Sequence, residues 1–247
     1  MKILVIGDSC EDVFRYGDIT RIAPEAPVPV IVPVREESNP GMAGNVVANL
    51  EALGATVDLI TNSEPIRKIR YVDERYNQMV LRVDENDQCE PYNGNHRTTP
   101  RGYGNYDAIV ISDYNKGFLN KDDIAAWAKI AECPVFLDTK KFLGDWCKDI
   151  DYIKINSLEH QKNFERLPSY PLLKDKLIIT KGKYGCEYKD EIYPTKEVPV
   201  KDVSGAGDTF LAGLVYDYIC TDDIKKSIKF AQECTTKVVQ KPGVATI

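Results

Sequence analysis

The segment richest in chemistry is residues 202–213, DVSGAGDTFLAG. Three small residues, Gly205, Ala206 and Gly207, lead into an amphipathic helical pattern. Backbone N–H groups there can approach an anion closely, and the helix N-terminus adds positive potential. Together these features make an anion hole. Asp208 falls in the same turn, where a carboxylate would repel a bound phosphate unless it had a task; the alternative is a helix cap, a common use of aspartate. A second pattern, Asn156-Ser-Leu-Glu159, sets an amide and a carboxylate three residues apart, as one helical face or an N-cap with its capping-box partner would have them. Histidine and cysteine offer no competing chemistry. His96 and His160 are far apart, and the seven cysteines (10, 89, 133, 147, 186, 220 and 234) are odd in number and form no C-x-x-C pair. That argues against zinc and a disulfide framework and for reduced, mostly buried thiols.

The elements that must position these residues are legible as a rhythm. Apolar runs rich in β-branched residues at 3–6, 108–111, 135–137 and 177–180 predict strands buried on both faces. Helical patterns at 43–53, 121–131 and 157–165 lie between several of them, which predicts a mostly parallel sheet covered by helices. Two further helices, about 206–219 and 222–240, should pack antiparallel, with Asp222 and Asp223 at the positive end of the second. Residues 26–34, APVPVIVPV, suit an edge strand, and 66–84 reads as a hairpin around Asp73 and Glu74; both belong to a small β-flap beside the sheet.

The 247 residues, 43% hydrophobic and 28% charged, carry enough apolar material for a packed core and show no repeat or linker, so one unit is expected over 1–247. The net charge of −6 disfavours a nucleic-acid partner. No apolar stretch approaches the ~20 residues of a bilayer crossing, and the N-terminus runs straight into a strand, so neither a membrane partner nor export is expected and a cytoplasmic location is.

Gly205-Ala-Gly-Asp208-Thr-Phe at a helix start, with Asp202 six residues earlier, resembles the C-terminal signature of the ribokinase, or PfkB, family of sugar kinases. Gly41-Met-Ala-Gly-Asn45 resembles that family's Gly-rich turn before a helix, and Asn156 to Glu159 its N-x-x-E motif. The resemblance implies a ribokinase-like three-layer α/β sandwich with a β-flap as lid, at about 13–38 and 66–92. It implies ATP as phosphoryl donor, Asp208 as the base that takes the proton from the sugar hydroxyl, and the 205–207 amides as the charge-neutralising hole. As a carboxylate at a helix N-terminus, Asp208 should be a weak base, with proton transfer late in the reaction. Asn156 and Glu159 would hold water around Mg²⁺ and orient the phosphates. Thr180, Lys181, Gly182, Gly185 and Gln232 would line the nucleotide, and Asp202, Ser204 and the backbone near Gly243 would hold K⁺. Asp12, Gly41 and Asn45 match positions that meet the sugar. A homodimer through the flap is also implied.

GDSCEDVF at 7–14, YGDITRIAPEAPVPV at 16–30, LRVD at 81–84 and SDYNKG at 112–117 narrow the resemblance to the heptose 7-phosphate kinase domain of bacterial ADP-heptose biosynthesis. The implied product is the heptose 1,7-bisphosphate. The acceptor's phosphate needs a cation, for which Lys116, Arg82, Arg15 and Arg21 are candidates, though each could be an ordinary surface charge. The sequence leaves no room for the nucleotidyltransferase domain of the bifunctional enzymes. It also lacks one α/β unit after Thr61, shortens 159–176 and ends after GVATI, losses that could expose an edge strand. Met42 stands where those kinases have a second glycine, and Gln232 where relatives place Asn or His. A kinase for another sugar, or a silent sugar- or nucleotide-binding homologue, are the competing readings.

Overall fold

The apolar runs become the centre of an eight-stranded sheet in a computed structural model that describes residues 1–94, 106–241 and 243–247; His96 lies outside the described residues. Six strands are parallel: β1 (Lys2–Gly7), β4 (Thr56–Ile60), β7 (Ala108–Asp113), β8 (Val135–Thr139), β9 (Tyr152–Asn156) and β10 (Leu177–Thr180). The antiparallel strands β11 (Cys186–Tyr188) and β12 (Glu191–Tyr193) complete the order 12-11-10-9-8-7-1-4. Alternate residues of the same strand enter two separate cores. Ile3, Val5 and Val110 pack with residues of α1 (Ala43–Ala52), α5 (Ala206–Thr221) and α6 (Ile224–Val238). Leu4, Ile6 and Ile111 pack with Ile124 and Trp127 of α2 (Lys121–Ile130) on the other face. Period-two strands covered on both sides therefore give the three-layer sandwich.

Helices α5 and α6 run antiparallel, since Tyr216 stacks on Phe230 while Asp217 accepts a hydrogen bond from Ser227. Their junction differs in detail from expectation. Asp223 caps α6 by accepting from the amides of Lys225 and Lys226, whereas Asp222 ends α5 in a left-handed conformation. Nor is α5 amphipathic where it matters: every residue from Asp208 to Val215 is buried.

The second sheet is the lid, in the order 3-2-5-6: β3 (Pro29–Met42), β2 (Ser9–Ile22), β5 (Ile66–Asp73) and β6 (Gln78–Glu85). The 66–84 hairpin forms around residues 74–77, and the proline-bearing strand β3 takes an edge. The flap boundaries shift, because β2 and β3 reach back to Ser9 and Met42, where they meet β1 and α1, while 86–92 leave the sheet. Where the sequence lacks an α/β unit, only residues 61–65 join β4 to β5, and β4 is the open edge of the main sheet among the described residues. Cys10, Cys147, Cys186 and Cys234 are buried, and all seven thiols are free.

Candidate active site

Helix α5 starts where the lid, α1 and the main sheet converge. Its N-cap, Gly205, takes a left-handed φ of 75°, and a Cβ there would stand 2.5 Å from Asn45 Nδ2, so both the turn and the close approach need glycine. The Ala206 amide donates to the Val203 carbonyl at 3.2 Å. The Gly205, Gly207 and Asp208 amides have no hydrogen-bond partner among the described residues, so of the expected anion-hole residues Ala206 alone has its amide engaged.

Asp208 does not cap its helix. Its Oδ2 accepts from Asn45 Nδ2 at 3.0 Å and its Oδ1 from the Tyr114 hydroxyl at 2.5 Å. Asn45 is aimed by the next turn of α1, where the Asn49 amide donates to both its backbone and side-chain oxygens. Burial pushes the Asp208 carboxyl up to about 6, against the pull of the Tyr114 and Asn45 hydrogen bonds and the Lys154 charge. The weak base expected at a helix N-terminus is thus corrected. Desolvation outweighs the local donors, so this carboxylate is a stronger base than its place at a helix N-terminus alone would give.

Tyr114 belongs to the SDYNKG segment, where the sequence alone assigns it no role. Its position comes from Asp8 at the end of β1, whose carboxylate accepts from the amides of Tyr114 (2.7 Å) and Phe118 (3.3 Å). Two ammonium groups stand over the phenol ring, Lys68 at 5.3 Å and Lys140 at 5.1 Å from its centroid.

On the side of β9 and α3 (Ser157–Asn163), Asn156 and Glu159 form a complete capping box: Asn156 Oδ1 accepts from the Glu159 amide at 2.9 Å and Glu159 Oε2 from the Asn156 amide at 2.7 Å. Glu159 Oε1 also meets the Lys140 ammonium. Lys154, missed from sequence, is buried on Asp138 (2.6 Å), and a Cβ on Gly207 would stand 2.9 Å from its Nζ. Thr180, Gly182, Gly185, Ala206, Gly207 and Gln232 line a common cleft of about 120 Å³. Lys181 turns instead to Glu187. Gln232 also lines a neighbouring cavity of about 720 Å³, and its Nε2 donates to the Tyr193 carbonyl at 2.6 Å.

On the lid, Asp12 is buried and bonded to Arg70 at 2.5 Å, with Gly41 paired opposite Cys10 beside it. The cation candidates separate. Arg82 is held by Asp84 and Lys116 by Asp87, each at 2.6 Å. Arg15 pairs with Glu36 and Tyr71 on the sheet face opposite Asp12, and Arg21 is exposed at the far end of β2, so both leave the site. Met42 has φ 59°, a backbone conformation suited to the glycine whose place it takes, and its side chain is buried.

Of the two cation positions expected, the Asn156–Glu159 pair offers the fitting oxygens. The capping-box oxygens already attract one positive charge, Lys140, and magnesium on phosphates keeps a water shell that such oxygens can hold. Asp202 accepts from the amides of Ser204 (2.8 Å) and Gly243 (3.1 Å), which brings the three residues expected at the monovalent-cation site together, with amide donors and not carbonyl oxygens facing the carboxylate. Among the described residues no three His, Cys, Asp or Glu side chains cluster as metal ligands, and no helix is long and apolar enough to cross a membrane.

In fold the chain is similar to ribokinase from Thermotoga maritima, with a TM-score of 0.70 at 17% identity over 98% of this chain and 94% of that one. It is similar also to phosphofructokinase-2 from Escherichia coli in complex with potassium, with a TM-score of 0.75 at 12% identity over 98% and 94%. In sequence it is 32% identical to a bifunctional protein HldE of a Nitratiruptor species, over 99% of this chain and 63% of the relative. A Campylobacter jejuni bifunctional protein HldE is 30% identical over 100% and 62%. The chain thus spans under two thirds of the length of these curated relatives. Residues 123–247, which carry the Gly205–Gly207 turn, Asp208 and the Asn156–Glu159 box, match the model of the pfkB family carbohydrate kinases, and the chain belongs to that family.

Proposed function

We propose that this protein transfers the γ-phosphoryl group of ATP to the anomeric hydroxyl of a heptose 7-phosphate, giving the 1,7-bisphosphate and ADP. The observation that carries the reading is Asp208: a buried carboxylate, raised to about 6, beside the unpartnered amides of Gly205 and Gly207 and fixed by Asn45 and Tyr114. Asp208 takes the proton from the acceptor O–H as that oxygen bonds to the γ-phosphorus and the β–γ P–O bond breaks. The unpartnered amides and Lys154 meet the negative charge on the phosphoryl oxygens. Asp12 and Asn45 hold sugar hydroxyls, and the cleft from Thr180 to Gln232 takes the nucleotide. Asn156 and Glu159 would hold the hydrated Mg²⁺, and Asp202, Ser204 and Gly243 a K⁺. Bound to ATP, magnesium neutralises charge on the β- and γ-phosphate oxygens.

The choice of heptose rests on the 16–30, 81–84 and 112–117 resemblance, in keeping with the HldE relatives. We also infer a cytoplasmic enzyme that dimerises through the lid, whose edges carry exposed Val32, Val34 and Met79. The test is a coupled assay with Mg-ATP against heptose 7-phosphate, fructose 6-phosphate, ribose and fructose. Heptose 7-phosphate should be turned over fastest. Faster turnover of another sugar overturns the heptose assignment, and tight binding without turnover of any of them points to a silent homologue.

A further inference from the structure

Two lysines are buried among the described residues, Lys154 and Lys68. Lys154 rests on a carboxylate, Asp138. Lys68 does not. On the lid, its ammonium donates to the Met42 thioether sulfur at 3.0 Å and faces the Tyr114 ring, and among the described residues no carboxylate lies within ion-pair distance of it. A thioether is a weak acceptor and an aromatic face a modest one, so neither replaces the water that a buried ammonium gives up. The carboxylates around it are engaged: Asp12 by Arg70, Asp84 by Arg82, and Asp208 by Asn45 and Tyr114.

The place of this unmatched charge matters as much as its lack of a partner. Lys68 pairs with Asp12 in the register of β2 and β5, next to the residue that meets the sugar. It stands 5.3 Å from the centroid of the Tyr114 ring, whose hydroxyl bonds Asp208, while Lys140 faces the same ring and reaches Glu159. An acceptor whose reacting hydroxyl lies at Asp208 and whose ring contacts Asp12 would extend its far end over Tyr114 toward Lys68. Building on the sugar-kinase reading of the site, we infer that Lys68 is the specificity-determining cation that binds the phosphate of a phosphorylated acceptor. Lys116 and Arg82, held by their own carboxylates, stand further out. A phosphomonoester supplies the anionic oxygens that the fold withholds from Lys68, and an unphosphorylated sugar leaves the ammonium buried without a partner.

The test uses the intact chain with Lys68→Met, which keeps the side-chain length, and Lys68→Arg, which keeps the charge. Calorimetric titrations with heptose 7-phosphate, heptose, fructose 6-phosphate, fructose and ATP with Mg²⁺ give the affinities, and thermal melting reports the fold. The parent should prefer a phosphorylated acceptor over its unphosphorylated counterpart by roughly 10² or more. Lys68→Met should lose most of that preference, keep its ATP affinity and melt no lower than the parent; Lys68→Arg should keep part of it. A Lys68→Met protein that retains the preference overturns the inference. So does one that melts well below the parent, which would assign Lys68 to the fold. A Lys68-dependent preference for fructose 6-phosphate would sustain Lys68 and remove heptose, whereas turnover of heptose 7-phosphate indifferent to Lys68 would do the reverse.

Discussion

Helices α3 and α5 each carry a carboxylate in the first turn, and the two carboxylates are satisfied in opposite ways. Glu159 turns back on its own helix, closes a capping box with Asn156 and takes Lys140 as counter-ion. Asp208 leaves its helix end uncapped and is held by residues 163 and 94 positions away, Asn45 and Tyr114. A box of the same kind, Asn120 with Asp123, starts α2, so the arrangement at α3 is first of all a way to begin a helix. Asp208 has no such local explanation. A buried acid that stabilises neither its own helix nor an ion pair is a costly arrangement, and such costs concentrate where chemistry is done.

The largest break in this comparison should come from Asp208→Asn. Turnover should fall by ~10² or more, the scale of a lost general base, with ATP affinity retained. Stability should move the other way. The Asp208 carboxyl titrates near 3.8 in an unfolded chain and at about 6 in the fold, so between those values the native state binds the extra proton and loses stability as pH rises. The variant should therefore melt above the parent at pH 7, and the gain should vanish as pH falls toward 4. Equal turnover, or a variant that melts lower at neutral pH, would return Asp208 to a structural role.

Glu159→Gln comes next. It removes the charge opposite Lys140 and weakens the box, so the melting temperature should drop by a few degrees, on the order of 1 kcal/mol. The Mg²⁺ concentration for half-maximal rate should rise several-fold if Glu159 also holds the ion's water shell. A lower melting temperature with unchanged Mg²⁺ dependence leaves the capping role alone.

Tyr114→Phe sharpens the contrast from the side of Asp208. The Tyr114 hydrogen bond lowers the Asp208 carboxyl, so its loss should carry the acid limb of the pH–rate profile to higher pH. An unmoved limb would mean that the phenol does not contact the base during turnover. The smallest effect belongs to Lys116→Ala. It breaks a part-exposed pair with Asp87, worth about 1 kcal/mol or less, and should alter acceptor affinity far less than Lys68→Met. A larger effect would restore Lys116 as the phosphate ligand.

Met42 shows how a local reading can be right about a position and silent about its consequence. The resemblance asks for glycine there, and the backbone agrees, with φ 59°. That its sulfur becomes the acceptor for Lys68 follows only from β3 turning into α1 beside β5.

The sequence by itself determined what depends on neighbours along the chain. Period-two apolar runs became strands buried on both faces, the proline-bearing segment became an edge strand, and small residues before a helix became an N-terminus with no side-chain cap. These outcomes are local because pleat, turn and helix end are set within a few residues. Tertiary structure decided the charges. How strong a base Asp208 is depends on how much water it loses, and that burial comes from the assembled fold around it, with Asn45 of α1 and Tyr114 after β7 as its partners. Which cation stays unpaired depends on which carboxylates the lid's register brings to its neighbours: Arg70 and Arg82 found theirs and Lys68 did not. Desolvation and long-range pairing are properties of assembled layers, so no spacing within the chain could have announced them.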